Sequence, residues 1–117
     1  MEWYQTKSKT QEFLDLTYDN LDKYYSDDFK MLSRVSWIVS GMTSEPKYME
    51  KAISWSKKSI SLREEPYNID TYAALLYKTG KKEEAIAQEK RVIALAQKRN
   101  IATTPYEEQL KRFEEGK

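Results

Sequence analysis

Apolar side chains recur every three or four positions along most of the chain, which is the spacing of amphipathic helices. A first helix is predicted over about Trp3–Tyr25 and a second over about Asp28–Met42, after the cap-forming residues 26–28. The face expected to be buried in the first helix comprises Phe13, Leu14, Thr17, Leu21, Tyr24 and Tyr25. The corresponding stripe in the second helix comprises Phe29, Leu32, Val35, Val39 and Met42, widened by Trp37 and Ile38.

Three further helices follow, predicted over about Pro46–Leu62, Ile69–Thr79 and Lys82–Arg99. A last helix is expected to begin with Thr104 as its cap, followed by Pro105 in the first turn and by Glu107, which completes a capping box. The inward positions expected in the third helix are Met49, Ala52, Ile53, Ser56 and Ile60. In the fifth helix they are Ala85, Ile86, Val92 and Leu95, and in the last helix Tyr106, Leu110 and Phe113.

Helix breakers are few, with three glycines and three prolines in 117 residues. Gly80 lies where the fourth helix needs a left-handed residue just past its end, so the fourth and fifth helices are predicted to form a hairpin. The fold class predicted is therefore all-α, with antiparallel hairpins in an array of about six helices.

Two segments of the chain align with each other, "YMEKAISWSKKSISL" at 48–62 and "KKEEAIAQEKRVIAL" at 81–95. Ala52 and Ala85 coincide in this alignment and are 33 residues apart. Helix pairs at this period resemble the tetratricopeptide repeat family. Ala73, Gly80 and Ala85 match the small residues that the family places where its two helices and their turn come close, whereas the aromatic and the proline expected later in the repeat are replaced by Glu89 and Gln97.

The resemblance implies a right-handed array of hairpins within one helical domain, 1–117. Its parts are expected to be an N-terminal capping helix (1–27), a degenerate repeat (28–65), a better repeat (66–99) and a C-terminal capping helix (100–117). Ser40 and Ser59 replace small residues of the family in the degenerate repeat.

The resemblance also implies a concave groove that binds a protein or peptide. Asparagines that clamp a carboxylate in some members of the family are replaced here by Thr71 and Ala74, so that chemistry is not expected. The family's register carries over Arg34, Trp37 and Gly41 from the second helix, and Tyr67, Asp70, Ala74, Tyr77 and Lys78 from the fourth. The residues expected to bind the partner are Arg34, Trp37, Tyr67, Asp70, Tyr77 and Lys78.

A second resemblance stays open beside the first. Residues 48–98 look like the helical tail that follows the thioredoxin-like domain of some bacterial proteins. On that hypothesis the chain is an accessory C-terminal region, and its redox centre lies in a preceding domain. The compartment is open in the same way: cytoplasmic for a complete chain, periplasmic for such a fragment.

Composition limits the chemistry available to the chain. Cysteine and histidine are both absent, which removes disulfides, thiolate chemistry and the commonest general base and zinc ligand. Ser54 with Lys57, and Tyr77 with Lys81, have spacings known from enzymes, but each lacks the rest of such a site. The prediction is therefore a non-catalytic protein without cofactor or metal.

The charge is balanced, with a net value of +1, so composition favours neither nucleic acid nor a membrane as a partner. A protein or peptide remains the expected partner. Apolar faces left exposed on the terminal helices would also let two copies pair, so a homodimer stays open.

Overall fold

The chain folds into six helices in a computed structural model that describes residues 2–116, with side chains described from residue 11 onward. The helices are α1 (Glu2–Tyr24), α2 (Phe29–Met42), α3 (Pro46–Leu62), α4 (Pro66–Lys78), α5 (Lys82–Lys98) and α6 (Thr104–Glu115). Residues 2–116 contain no strand, which confirms the predicted all-α class.

Each helix packs mainly against its neighbour in the sequence. Helix α2 packs on α3 and α4 packs on α5, and short loops make each pair an antiparallel hairpin. The two hairpins meet through α3 against α4 and through α2 against α4, while α6 covers α5 and α1 contacts α2 and α3. The predicted hairpin array is therefore confirmed.

Small residues lie where the helices come closest. Ala52, Ala73 and Ala85 are all completely buried. Ala85 packs in one cluster with Ala73, Leu76 and Phe113, which joins α4, α5 and α6. A second cluster surrounds Trp55 and joins α1 to α4; its other buried members are Leu14, Leu21, Leu32, Val39, Tyr48, Met49, Ala52 and Leu75.

Several apolar residues that the periodicity placed in the core are exposed instead. Of the six residues expected on the buried face of the first helix, Leu14 and Leu21 are buried, whereas Phe13, Tyr24 and Tyr25 face solvent. In α2 the prediction was wrong for three residues, since Trp37, Ile38 and Met42 are exposed. The physical reason is that α1 packs against α2 and α3 along one edge of its apolar face. The other edge of the apolar face of α1 has no helix to cover it.

Polar side chains supply part of the core that hydrophobic periodicity does not reveal. Buried Ser59 donates to the carbonyl of Phe29 (2.6 Å) and accepts from Asn68 Nδ2 (3.1 Å). Asn68 also donates to the carbonyl of Arg63 (2.7 Å) and accepts from the backbone N–H of Glu65 (3.0 Å). These bonds tie the start of α4 to α2 and α3.

Capping residues locate the starts of the helices more accurately than hydrophobic spacing does. Asp28 caps α2 by accepting from the backbone N–H of Met31 (3.0 Å), as predicted. Helix α4 begins at Pro66 and not near Ile69, because proline suits the first turn of a helix. The side chain of Asn68 also accepts a hydrogen bond from the backbone N–H of Glu65, the residue before the helix. The cap of α6 is Thr103, one residue before the predicted Thr104.

Gly80 ends the first helix of the α4–α5 hairpin in the left-handed region, with φ +86°. A Cβ there would meet no atom within 4 Å, so substitution strains only the backbone. Gly80→Val is expected to lower the free energy of unfolding by about 1–2 kcal/mol.

Gly41 is the matched control, because it lies inside α2 and a Cβ there also meets nothing within 4 Å. Gly41→Ala is expected to raise the free energy of unfolding by up to about 1 kcal/mol, since it removes backbone entropy from the unfolded chain. Urea unfolding of both variants checks the pair, and a Gly80→Val protein as stable as the wild type contradicts the turn assignment.

Candidate functional site

A cavity of about 360 Å³ opens between α2 and α4. We call it the α2–α4 groove. Its lining is Lys30, Ser33, Arg34, Trp37, Ile38, Tyr67 and Thr71. The structure therefore brings three of the predicted partner-binding residues, Arg34, Trp37 and Tyr67, to one place.

Exposed aromatic surface is the most distinctive property of this groove. Trp37 and Tyr67 are 48% and 41% exposed, and the neighbouring Ile38 is 40% exposed. Local burial raises the pKa of the Tyr67 hydroxyl, and the Glu65 carboxylate adds to that rise. Tyr67 is therefore a neutral hydrogen-bond donor at physiological pH.

The charge of the groove is positive. Its lining includes Lys30 and Arg34 but no carboxylate. Lys78 adds a third cation, with Nζ 4.7 Å from the centroid of the Trp37 ring and 3.3 Å from Ser40 Oγ. Among the side chains described, none of these three cations forms an ion pair with a carboxylate.

The remaining two predicted residues, Asp70 and Tyr77, lie on the part of α4 that faces α6. Tyr77 stacks on Phe113, with ring centroids 4.6 Å apart and planes 21° apart. The Asp70 carboxyl lies beside Glu89 of α5 and within the electrostatic reach of Arg112 of α6. The groove geometry thus unites Arg34, Trp37, Tyr67 and Lys78, and separates them from Asp70 and Tyr77.

The Asp70–Glu89 pair is the most unusual buried group of the molecule. Glu89 is completely buried, and neither of its carboxyl oxygens has a hydrogen-bond partner within 3.5 Å among the described atoms. Burial, with the nearby Asp70 carboxyl, raises the pKa of Glu89 to about 10. Burial also raises the pKa of Asp70, although Glu89 and Arg112 oppose that rise. Glu89 is therefore protonated at neutral pH, and it lies at the position where the repeat resemblance expects an aromatic side chain.

Sequence reasoning missed four lining residues of the groove: Lys30, Ser33, Ile38 and Thr71. A signal for them was present. Lys30 and Ile38 lie four positions from Arg34, Ser33 lies four positions before Trp37, and Thr71 follows Tyr67 by four, so helical spacing places each beside a residue that was identified. Extending the register from the three residues that were identified would have found them.

Candidate catalytic groupings gain no support from the geometry. Ser54 and Lys57 are exposed on α3, and Tyr77 is held in its stack with Phe113. Among the described side chains, no group of three or more acidic residues is arranged to hold a metal ion. No helix within residues 2–116 has the length and hydropathy needed to span a bilayer.

Comparison with known protein families, curated proteins and solved structures found no match to this chain.

Proposed function

We propose that the protein is a non-catalytic interaction module that binds an acidic, aromatic- or aliphatic-containing peptide segment of another protein in the α2–α4 groove. The observation that carries this proposal is the combination of two half-exposed aromatic residues, Trp37 and Tyr67, with three cations that form no ion pair with a described carboxylate. Neither Trp37 nor Tyr67 belongs to a core cluster, so further burial of both rings is available to a partner.

The aromatic residues supply the anchor. Tryptophan, tyrosine and arginine are the residue types that most often dominate binding energy, because they bury large areas at a low entropic cost. Lys78 Nζ lies over the Trp37 ring, 4.7 Å from its centroid, so the anchor and one of the cations are already adjacent before a partner arrives.

The cations supply the selection by charge. Lys30, Arg34 and Lys78 would meet carboxylates along an extended acidic segment, which increases the association rate and rejects basic segments. Arg34 can bind one carboxylate through two parallel hydrogen bonds, whereas the lysines act as point charges.

Peptide display on the purified protein tests the proposal, because selection from a random library does not require an identified partner. Enriched sequences are expected to contain two or more acidic residues around an aromatic or aliphatic anchor. Enrichment of basic or uncharged sequences contradicts the proposal that the cations of the groove select an acidic segment.

Trp37→Ala is expected to weaken binding of an enriched peptide by about tenfold or more, because it removes the anchor. Its melting temperature should stay within about 2 °C of the wild type, since Trp37 is half exposed and lies outside both core clusters. Isothermal titration calorimetry measures the affinity.

Ile101→Ala is the matched control, because Ile101 is also an exposed apolar residue (41%) but lies in the loop before α6. It should bind like the wild type. Equal affinity of the Trp37→Ala variant and the wild type would reject the groove as the binding site.

A further inference from the structure

A second and larger cavity, of about 530 Å³, lies between the two hairpin turns. We call it the turn cavity. It is bounded by the α2–α3 turn with the first half of α3 on one side, and by the α4–α5 turn on the other. Its volume falls within the range of small-molecule sites in proteins, roughly 300–1,000 Å³.

The floor of the turn cavity is apolar and firmly held. Met49 is 4% exposed and belongs to the larger core cluster, and Ile53 packs against the same cluster. Pro46, at the first position of α3, closes the edge of the cavity with a rigid ring. This floor suits the apolar body of a ligand that excludes water from it.

The rim carries two lysines, Lys78 and Lys81, and one carboxylate, Glu50. Neither lysine forms an ion pair with a carboxylate among the described side chains. Lys78 Nζ is positioned by Ser40 Oγ (3.3 Å) and the Trp37 ring (4.7 Å), and Ser40 is itself only 8% exposed. One cation at the rim is therefore held in place by a buried hydroxyl before any ligand arrives.

A lysine at position 81 does not stabilise α5, the helix that it precedes. It occupies the N-cap of α5 and makes no side-chain capping hydrogen bond. A cation there is adjacent to the positive end of the helix dipole, and it replaces the serine, threonine or aspartate that would stabilise the start of the helix. An anion between Lys78 and Lys81 would relieve this unfavourable placement.

We propose that the turn cavity binds a small organic anion, in which a carboxylate or phosphate group lies between Lys78 and Lys81 and an apolar body rests on Met49 and Ile53. Hydroxyls of the turns, such as those of Ser44 and Thr43, line the same rim and can donate to the anion. The linings of the turn cavity and the α2–α4 groove have no residue in common, but both proposed sites use Lys78, which contacts Trp37 on the groove side and Ser40 on the cavity side.

Nuclear magnetic resonance titration of the ¹⁵N-labelled protein tests the proposal with three probes of similar size. These are 4-phenylbutyrate, phenyl phosphate and the uncharged 4-phenylbutyramide. At least one anion is expected to shift the amide signals of 43–50 and 78–82 and to bind at least tenfold more tightly than the amide. The anion that binds more tightly identifies the head group, carboxylate or phosphate.

Lys81→Ser separates ligand binding from folding. It supplies a capping hydroxyl to α5, so its melting temperature should rise, yet its affinity for the anion should fall at least fivefold. Lys82→Gln is the matched control, because the Lys82 ammonium group points toward the end of α6 near Gly116 and does not line the cavity. It should bind the anion like the wild type.

Three results would overturn the proposal. These are the absence of shifts around the turn cavity with both anions at millimolar concentration, equal affinity for the amide and the anions, and an equal loss of affinity in the Lys81→Ser and Lys82→Gln variants. Peptide binding in the groove is tested by Trp37→Ala, so failure of either site is distinguishable from failure of the other.

Discussion

Replacement of Ala85 by glutamate is expected to lower the free energy of unfolding by about 3 kcal/mol or more, a larger effect than substitution of Gly80 or Trp37 should have. Ala85 is completely buried between α4 and α5, in the cluster that also contains Ala73, Leu76 and Phe113. A glutamate there must either be buried without a partner or push the two helices apart. At roughly 4 °C per kcal/mol for a chain of this size, the melting temperature should fall by about 10 °C or more.

Ala87→Glu is the control for helix propensity and charge, because Ala87 lies on the same helix but is exposed. Its melting temperature should stay close to that of the wild type. Thermal unfolding followed by circular dichroism at 222 nm measures both variants. An Ala85→Glu protein that melts with the Ala87→Glu protein would contradict close packing of the α4–α5 hairpin.

The second large effect is a dependence of stability on pH that originates at Glu89. Its pKa is about 10 in the folded protein and 4.5 in an unperturbed side chain. Between these values the folded state holds a proton that the unfolded state has released, so the free energy of unfolding falls as the pH rises, by up to about 1.4 kcal/mol per pH unit. The raised pKa of Asp70 acts in the same direction.

Glu89→Gln removes the part of this dependence that originates at Glu89, while keeping the shape of the side chain. The glutamine amide can donate to Asp70 Oδ1, which has no partner among the described atoms, as the protonated Glu89 would. Wild type and variant should therefore have similar stability at pH 5, and the variant should be more stable by about 1 kcal/mol or more at pH 9.

Glu108→Gln, an exposed substitution on α6, controls for the loss of one surface charge. Urea unfolding at pH 5, 7 and 9 measures how steeply stability changes with pH in the wild type and in each of the two variants. If the stability of the Glu89→Gln variant declines with pH as steeply as that of the wild type, Glu89 is not the proton that unfolding releases.

Hydrophobic spacing and turn chemistry predicted the helices, because each helix is specified by its own residues. The bounds of α3 were predicted at both ends, since Pro46 can begin a helix and the segment REEPYN at 63–68 ends it. Gly80 was predicted to be left-handed and has φ +86°. The alanines predicted at close contacts, Ala52, Ala73 and Ala85, are all fully buried.

Periodicity could not predict which edge of an apolar face has a neighbour. The predicted apolar stripe of α2 was widened from Val39 to include Ile38 and Trp37, and the packing of α2 on its neighbours buries Val39 but leaves the other two exposed. Resemblance to the repeat family indicated the groove position of Trp37 where periodicity placed it in the core.

Buried polar groups were the least predictable part, because their partners are distant in sequence. Tyr48 is buried because its hydroxyl donates to Asp15 (2.7 Å) and accepts from Gln11 (2.7 Å), both of which are on α1. In the sequence Glu89 is only a departure from a repeat pattern, and its burial beside Asp70 depends on α6 covering α5. Membership of the tetratricopeptide family and the thioredoxin-associated alternative both stay predictions.

Nuclear magnetic resonance of the ¹⁵N-labelled protein can map where a display-selected peptide binds. Binding in the α2–α4 groove predicts amide shifts confined to 30–38, 67–71 and the residues around Lys78, with the indole signal of Trp37 moving and that of the buried Trp55 unchanged. Shifts concentrated on α5 and α6, with the Trp37 signal unchanged, would contradict it.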